Sequence, residues 1–199
     1  MRCPWCLSDP LYIRYHDEEW GFPTIDGADP DVRFFEKIVL EGFQAGLSWL
    51  TILRKRENFR DEVRGFRGFD IERVARMTKR DVERLLGNPG IVRHRGKIES
   101  AINNARRALD LVDERGSLAM YLRDFLPADS PHHRMMSTIP PKTAESVALS
   151  KDLRGRGWSF VGPTTMYAFM QSVGIVNDHL TDCGTFGKVE KARRWWGGK

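Results

Sequence analysis

Residues 31–45 read Asp-Val-Arg-Phe-Phe-Glu-Lys-Ile-Val-Leu-Glu-Gly-Phe-Gln-Ala, and this stretch decides the fold. Its apolar positions recur at intervals of three and four, which places them on one face of a helix: Phe34, Phe35, Ile38, Val39 and Gly42. The preceding residues 29–31, Asp-Pro-Asp, supply a helix start, because Asp caps free amides and Pro suits the first turn. The stretch is therefore predicted to form an amphipathic helix.

The same periodicity continues along the chain, and the alternating runs typical of strands are nearly absent. Asp70 and Thr78 stand where caps are expected. Further helices are predicted over 47–59, 70–77, 79–86, 92–115, 117–126, 143–156 and 163–173. Residues 127–142, with four prolines, are predicted to be a long irregular connection. The predicted fold class is all-α, a compact helical domain.

Composition limits the class of protein. The chain has 199 residues, of which 41% are hydrophobic and 30% charged, as expected of a globular protein. No apolar stretch approaches the roughly 20 residues of a membrane span, and the N-terminus does not resemble a signal peptide. We therefore expect a cytoplasmic monomer. Its main domain is expected over 1–185, followed by a basic, Trp-containing tail over 186–199 that either adds affinity for a partner or is disordered.

Charge and tryptophan content suggest a polyanionic partner without establishing one. The net charge of +5 suits nucleic acid, but an ordinary basic protein has the same balance. Six tryptophans are more informative, since flat aromatic faces suit base stacking. The alternative is that all six belong to the core.

Cysteine and histidine residues at the two ends of the chain suggest a metal site. Three cysteines, an odd number, argue against a disulfide framework. His179 and Cys183 are one helical turn apart, and Cys3 and His16 could complete a tetrahedral Cys₂His₂ set of the kind that Zn²⁺ prefers. Such a closed site would be structural and would join the termini. The alternatives are four unrelated residues, or Cys6 as a rival ligand.

Two glycine-containing turns are candidates for contacts with DNA backbone. In 157–174, Gly162 permits a close backbone approach and Pro163 begins a helix whose first amides can face a phosphate. This is the logic of a helix-hairpin-helix element, although a plain helix N-terminus has the same pattern. Residues 87–97 form a second turn with Arg93, Arg95, His94 and Lys97, which either contacts DNA or is simply a solvated basic turn.

Glu41 lies within the apolar helix and is either on its exposed stripe or a buried functional group. The surrounding motifs are identifiable. Residues 9–21, 40–49, 55–58 and 91–98, together with Phe160-Val161-Gly162 and Asn177-Asp178-His179, resemble the bacterial DNA-3-methyladenine glycosylase I family. The resemblance extends from about residue 2 to residue 183, and its motifs are long and specific.

The resemblance implies an all-α fold of the helix-hairpin-helix glycosylase superfamily with a structural zinc joining the termini. The implied zinc ligands are Cys3, His16, His179 and Cys183, which leaves Cys6 outside the set. The implied base pocket is formed by Tyr15, Glu41, Trp49, Trp5 and Trp20. Gly46 and Leu47 match the segment that enters the DNA gap, and the expected backbone contacts are Gly162, Thr164, Thr165, Arg93 and Arg95.

The implied activity is hydrolytic excision of 3-methyladenine from alkylated double-stranded DNA, leaving an abasic site. The methylated base is cationic, so aromatic faces attract it and its glycosidic bond is already weakened. Glu41 would accept hydrogen bonds from the adenine edge and favour a positively charged transition state. The alternative function is an inactive, zinc-containing DNA-binding module with the same fold.

Three positions depart from the pattern of superfamily relatives. Relatives in the superfamily use an aspartate after the hairpin helix, and the candidate here, Asp178, adjoins the implied ligand His179, so a supporting role is the alternative. Phe160 replaces the usual first hairpin glycine, which predicts a looser grip on phosphate. Thr164 stands where strand-cutting relatives carry a lysine, so no Schiff base is expected.

Overall fold

The computed structural model describes residues 1–25, 27–129 and 131–197, and within these ranges the protein is helical, with no strand. The helices are α1 (Pro10–Glu18), α2 (Pro30–Gln44), α3 (Trp49–Arg60), α4 (Ile71–Ala75), α5 (Lys79–Leu86), α6 (Arg95–Arg115), α7 (Leu118–Leu122), α8 (Ala144–Gly155), α9 (Pro163–Ser172), α10 (Phe186–Ala192) and α11 (Arg194–Gly197). Short 3₁₀ turns lie at Pro4–Cys6, Arg67–Phe69, Arg123–Phe125 and Met136–Thr138. The all-α prediction is confirmed.

Side-chain caps explain where several helices begin. The Asp29 carboxylate accepts from the amides of Asp31 and Val32 at the start of α2. Asp70 caps α4 through the Arg73 amide, as predicted. At Thr78, the predicted cap of α5, the Asp81 carboxylate accepts from the Thr78 amide and completes a capping box.

Helix α2 is the centre of the fold and packs against α3, α6, α7 and α9. Its buried residues run without interruption from Arg33 to Phe43, so the helix is enclosed on all sides and the apolar face predicted from periodicity is only part of its buried surface. Phe34, Phe35 and Leu40 are fully buried. A helix enclosed in this way carries its polar residues, Lys37 and Glu41 among them, into the interior.

The predicted hairpin consists of α8 and α9, which pack against each other across the turn 156–162. Ser159 holds this turn to α6, because its carbonyl accepts from Asn104 Nδ2 at 3.0 Å and its amide donates to Asn104 Oδ1 at 3.0 Å. Val161 holds it to α8, since its carbonyl accepts from Ser150 Oγ at 2.7 Å. The turn is thus a well-supported part of the fold.

Several boundaries differ from the predictions. Helix α1 was not anticipated, and α3 and α6 begin at Trp49 and Arg95, later than predicted. Residues 186–197 of the predicted tail form α10 and α11 and are not disordered. Trp196 is buried, stacks on Phe34 and donates through Nε1 to the Val173 carbonyl. Residues 198 and 199 of the predicted tail lie outside the described residues. None of the described helices combines the length and apolarity that crossing a membrane requires.

Candidate active site

An open pocket of about 220 Å³ lies between α1, α2, α3 and α9. Every residue of the predicted base pocket lines it, so the structure brings this set together from four separate parts of the chain. Its lining consists of Trp5, Tyr12, Tyr15, Trp20, Glu41, Gln44, Trp49, Met136, Ile139, Ala168 and Gln171. The pocket is therefore an aromatic cavity with a small number of polar groups, as expected of a site for a flat ligand.

The aromatic wall is a connected cluster of rings. Tyr15 lies 5.5 Å from Trp49 between ring centroids, and Trp5 lies 5.0 Å from Trp20 and 6.4 Å from Tyr15. Tyr12 also belongs to this wall, since its ring lies edge-on to Trp5 at 5.5 Å between centroids. Its hydroxyl accepts from the Leu50 amide at 2.9 Å, which anchors α1 to the start of α3. Tilted and edge-on packing of this kind keeps each ring in one orientation.

Glu41 is the acidic group of the pocket. Only 5% of its surface is exposed, and its carboxylate makes no hydrogen bond with a described residue. Burial raises the pKa of the Glu41 carboxyl to about 8, and the charges of Lys37 and Arg56 oppose this increase. A buried carboxylate without a protein partner is costly, and it is the kind of group that a ligand with hydrogen-bond donors or positive charge would stabilise.

Lys37 lies one helical turn before Glu41, behind the aromatic wall. Its amine is fully buried, pairs with the Glu19 carboxylate, and lies 4.5 Å from the centroid of Tyr15 and 5.4 Å from that of Trp49. Burial lowers the pKa of Lys37, whereas Glu19 raises it. Arg56 extends the network by bonding to Glu19 as well. A set of buried ion pairs therefore supports the back of the pocket.

The four predicted metal ligands form one buried cluster. Cys3, His16, His179 and Cys183 each offer a ligand atom, and these atoms all lie within 4.8 Å of one another. His16 Nε2 and His179 Nδ1 are 3.1 Å apart, and Cys183 Sγ lies 3.5 Å from the first and 3.6 Å from the second. A tetrahedral Zn²⁺ site with bonds of about 2.0–2.3 Å has ligand atoms about 3.3–3.8 Å apart, so the cluster has suitable dimensions.

The surroundings of the cluster also suit a metal. His16 Nδ1 is 2.7 Å from an Asp17 carboxylate oxygen, and His179 Nε2 is 3.0 Å from the Trp20 carbonyl, so each ring turns its other nitrogen inward. The amides of Leu180 and Thr185 donate to the sulfurs of Cys3 and Cys183. By contrast, the Cys6 thiol donates to the Cys3 carbonyl at 3.1 Å, and Cys6 is not part of the cluster.

The cluster and the pocket share their supporting residues. Tyr15 and His16 are neighbours on α1, one in the pocket and one in the cluster. Trp20 lies 4.5 Å from His179 between ring centroids, and Trp5 lies 5.5 Å from His16. The wall of the pocket is therefore packed directly against the residues that join the two ends of the chain.

The segments with predicted DNA contacts meet on one side of the molecule. Gly42 permits the hairpin turn to approach α2, since a Cβ there would lie 3.3 Å from the Phe160 carbonyl oxygen. Phe160 is 40% exposed and its ring lies 6.2 Å from His94, at the turn 87–97. Lys97 donates to the carbonyls of Phe43 and Ala45, which lie just before Gly46. The three segments thus form one surface.

The residues predicted to contact DNA differ in their exposure and in whether other side chains already pair with them. Leu47 is 41% exposed, and Gly46 has a φ of +84°, a left-handed conformation that favours glycine. Arg93 is exposed and makes no ion pair with a described residue. Arg95 is exposed but pairs with Glu83 at 2.8 Å. Gly162, Thr164 and Thr165 stand at the N-terminus of α9, with Gly162 at its N-cap.

Phe160 has a φ of +56°, so it holds the left-handed conformation that the usual hairpin glycine would adopt without strain. The backbone path of the turn is therefore the one expected for glycine, despite the substitution.

Sequence reasoning missed about half of the pocket lining. Met136 and Ile139 come from the irregular connection 127–142, whose contacts no periodicity predicts. Gln171 lies on α9, nine residues beyond the motif at 160–162, and nothing in its spacing distinguished it. Lys37 could have been found, since a lysine one turn before Glu41 on an apolar helix lies on the same side as Glu41.

The chain belongs to the methyladenine glycosylase family, because the model of that family, described as methyladenine glycosylase, matches residues 5–186. The resemblance found in the motifs is confirmed, and the protein is an enzyme of the glycosylase class.

Among its relatives is DNA-3-methyladenine glycosylase 1 of Escherichia coli strain K12, which is 47% identical over 184 residues, or 92% of this chain and 95% of the relative. DNA-3-methyladenine glycosylase of Haemophilus influenzae is 44% identical over 92% of this chain and 96% of its own. A structure described as the basis of 3-methyladenine recognition by 3-methyladenine DNA glycosylase I from Staphylococcus aureus has a TM-score of 0.84 and 35% identity, and covers 93% of this chain and 96% of its own.

Proposed function

We propose that the protein is a monofunctional glycosylase that takes 3-methyladenine out of alkylated double-stranded DNA and hydrolyses its N-glycosidic bond, leaving an abasic site. The observation that carries this proposal is the buried Glu41 carboxylate, which opens into an aromatic pocket and has no hydrogen-bond partner among the described residues. The family membership and the relative described as recognising 3-methyladenine support the same substrate.

The pocket suits a cationic purine. Tyr15, Trp49, Trp5 and Trp20 offer flat, electron-rich surfaces, which bind a cationic base more strongly than a neutral one. Undamaged adenine lacks the charge and gains less from the same rings. Selection of the damaged base therefore follows from the chemistry of the wall.

Glu41 is the catalytic residue in this proposal. Its carboxylate accepts hydrogen bonds from the adenine edge, and its negative charge stabilises the positive sugar that forms as the bond to the base breaks. Water then adds to that sugar. Because the methylated base is already a good leaving group, no strong general acid is required.

The surface around the hairpin is the proposed DNA interface, of the helix-hairpin-helix type. The amides at the start of α9, with Gly162, Thr164 and Thr165, bind a backbone phosphate, and Arg93 adds a second contact. Gly46 and Leu47 enter the space that the flipped base leaves. Arg95 contributes less than predicted, because Glu83 already pairs with it. The enzyme acts as a monomer.

Cys3, His16, His179 and Cys183 are the proposed ligands of a structural zinc. The ion would supply a tetrahedral crosslink between the first and last parts of the chain. The four side chains lie beside the pocket, so the ion would take no part in the reaction.

The decisive experiment is incubation with alkylated duplex DNA, followed by chromatography of the released bases and a denaturing gel with and without borohydride. We expect free 3-methyladenine, an intact strand and no trapped complex, because Thr164 cannot form an imine and the only described pocket-side amine, that of Lys37, is fully buried. A trapped complex or direct strand scission would contradict monofunctional hydrolysis. Binding of DNA without release of any base would instead favour the inactive module.

A further inference from the structure

Gln171 is a polar pocket residue that the proposed mechanism does not use. It lies on α9, and its amide nitrogen donates to Asp178 Oδ2 at 2.6 Å. The same carboxylate oxygen accepts from the hydroxyl of Tyr167 at 2.7 Å. Asp178 is buried, with 3% of its surface exposed, and it lies behind the residues that line the pocket.

This contact determines which way the Gln171 amide faces. Asp178 Oδ2 accepts from both Tyr167 and Gln171, so the amide nitrogen of Gln171 points to Asp178 and the side-chain oxygen of Gln171 points away from it. The reverse orientation would place two oxygens against each other. The side-chain oxygen of Gln171, Oε1, makes no hydrogen bond with any described residue, so it is the group left for a ligand in the pocket.

Glu41 and Gln171 then present the same type of group to the pocket. Both are acceptors, and the exocyclic amino group of an adenine offers two N–H donors. A guanine carries an oxygen at that position, so it would turn an acceptor towards acceptors and leave buried polar groups unpaired.

We propose that Gln171 determines specificity by accepting an N–H of the flipped base, and that Asp178 is the positioning residue that holds the Gln171 amide in the accepting orientation. This inference rests on the proposed function. It also assigns Asp178 a role that needs no direct contact with the sugar or with water.

The test compares the release of 3-methyladenine and 3-methylguanine from duplex DNA alkylated with dimethyl sulfate. In Asp178→Asn, the new amide can donate to the side-chain oxygen of Gln171, which lets the Gln171 amide turn its nitrogen towards the pocket. We therefore expect 3-methyladenine release to fall about tenfold or more, without a matching fall in 3-methylguanine release. Gln171→Met removes the acceptor but leaves Asp178 in place, and we expect the same change in the ratio.

Tyr167→Phe is the matched control, because it removes the other donor to Asp178 Oδ2 while Gln171 stays anchored. Its ratio of released bases should remain that of the wild type. Metal content and melting temperature are measured for each variant, because Asp178 adjoins the proposed metal ligand His179. If Asp178→Asn does not fold, the result for Gln171→Met tests the proposal.

The outcomes separate this inference from the proposed function. If the wild type releases 3-methyladenine and both variants keep the wild-type ratio of the two bases, the specificity role of Gln171 is wrong and the proposed function stands. If the wild type releases no alkylated base, the proposed function fails and this inference fails with it.

Discussion

Replacing Glu41 with glutamine tests whether the pocket holds a destabilising carboxylate. Burial raises the pKa of Glu41 to about 8 from an ordinary 4.5. Because the pKa of Glu41 is higher in the folded state than in the unfolded state, Glu41 does not lower the unfolding free energy below about pH 4.5. The loss of unfolding free energy grows as the pH rises from there and is complete above about pH 8. At about 1.4 kcal/mol per pKa unit, the upper limit is about 5 kcal/mol.

Water in the open pocket lowers this cost. We therefore expect the unfolding free energy of Glu41→Gln, relative to that of the wild type, to be about 2–4 kcal/mol higher at pH 9 than at pH 5. Urea unfolding of both proteins at the two pH values measures it. The pH dependence of the Cys/His cluster is common to both proteins and cancels in the difference. Glu72→Gln, at an exposed position on α4, is the control and should show no such gain.

The same variant should lose activity, by about 100-fold or more, because it keeps the volume of Glu41 and removes its charge. Base release from alkylated DNA measures this loss. A variant that gains no stability at high pH relative to Glu72→Gln would refute the burial argument, and one that excises 3-methyladenine at nearly the wild-type rate would refute the catalytic role.

Three further predictions concern other parts of the molecule. His16→Ala should lose bound metal and melt at a lower temperature, because the cluster joins the chain ends; full metal content, by elemental analysis, with an unchanged melting temperature would remove His16 from the ligand set. Lys37→Met removes a charge that lowers the pKa of Glu41, so the pH at which affinity for alkylated DNA is half-maximal should rise, whereas the exposed Lys79→Met should leave it unchanged. Gly174→Ala should lower the unfolding free energy by about 3 kcal/mol or more in a urea titration, since φ is +70° and the new Cβ would lie 2.1 Å from the Gly21 carbonyl oxygen. Gly155→Ala, in a helix with free space around it, should instead raise the unfolding free energy in the same titration.

The sequence predicted most of the long helices because their apolar residues repeat at helical spacing. Helix α2 is the clearest case. Helix α1 was missed because its buried face consists of Tyr15 and His16, residues that a hydrophobic pattern does not select. The sequence allowed two interpretations of residues 186–199, DNA contact or disorder, and it did not indicate that the Arg193 guanidinium donates to the carbonyls of Gly174 and Ile175.

The site was predicted where long motifs carried it and missed where only three-dimensional packing did. Tyr15, Glu41 and Trp49 lie in motifs that could be compared directly. Gln171 and Ile139 enter the pocket because α9 and the irregular connection happen to fold over it, and no local pattern records such a contact. Long-range placement is decided by the packing of the whole domain, which spacing along the chain does not describe.

The Cys/His cluster also has a consequence for the order in which the protein matures. Cys3 and His16 are made first, but their partners His179 and Cys183 come more than 160 residues later. Because the aromatic wall rests on these residues, a nascent chain that has not yet reached Cys183 cannot complete the pocket, whatever helices it has already formed. The pocket can therefore be completed only after Cys183 has been synthesised, and a chain interrupted before that residue is left without it.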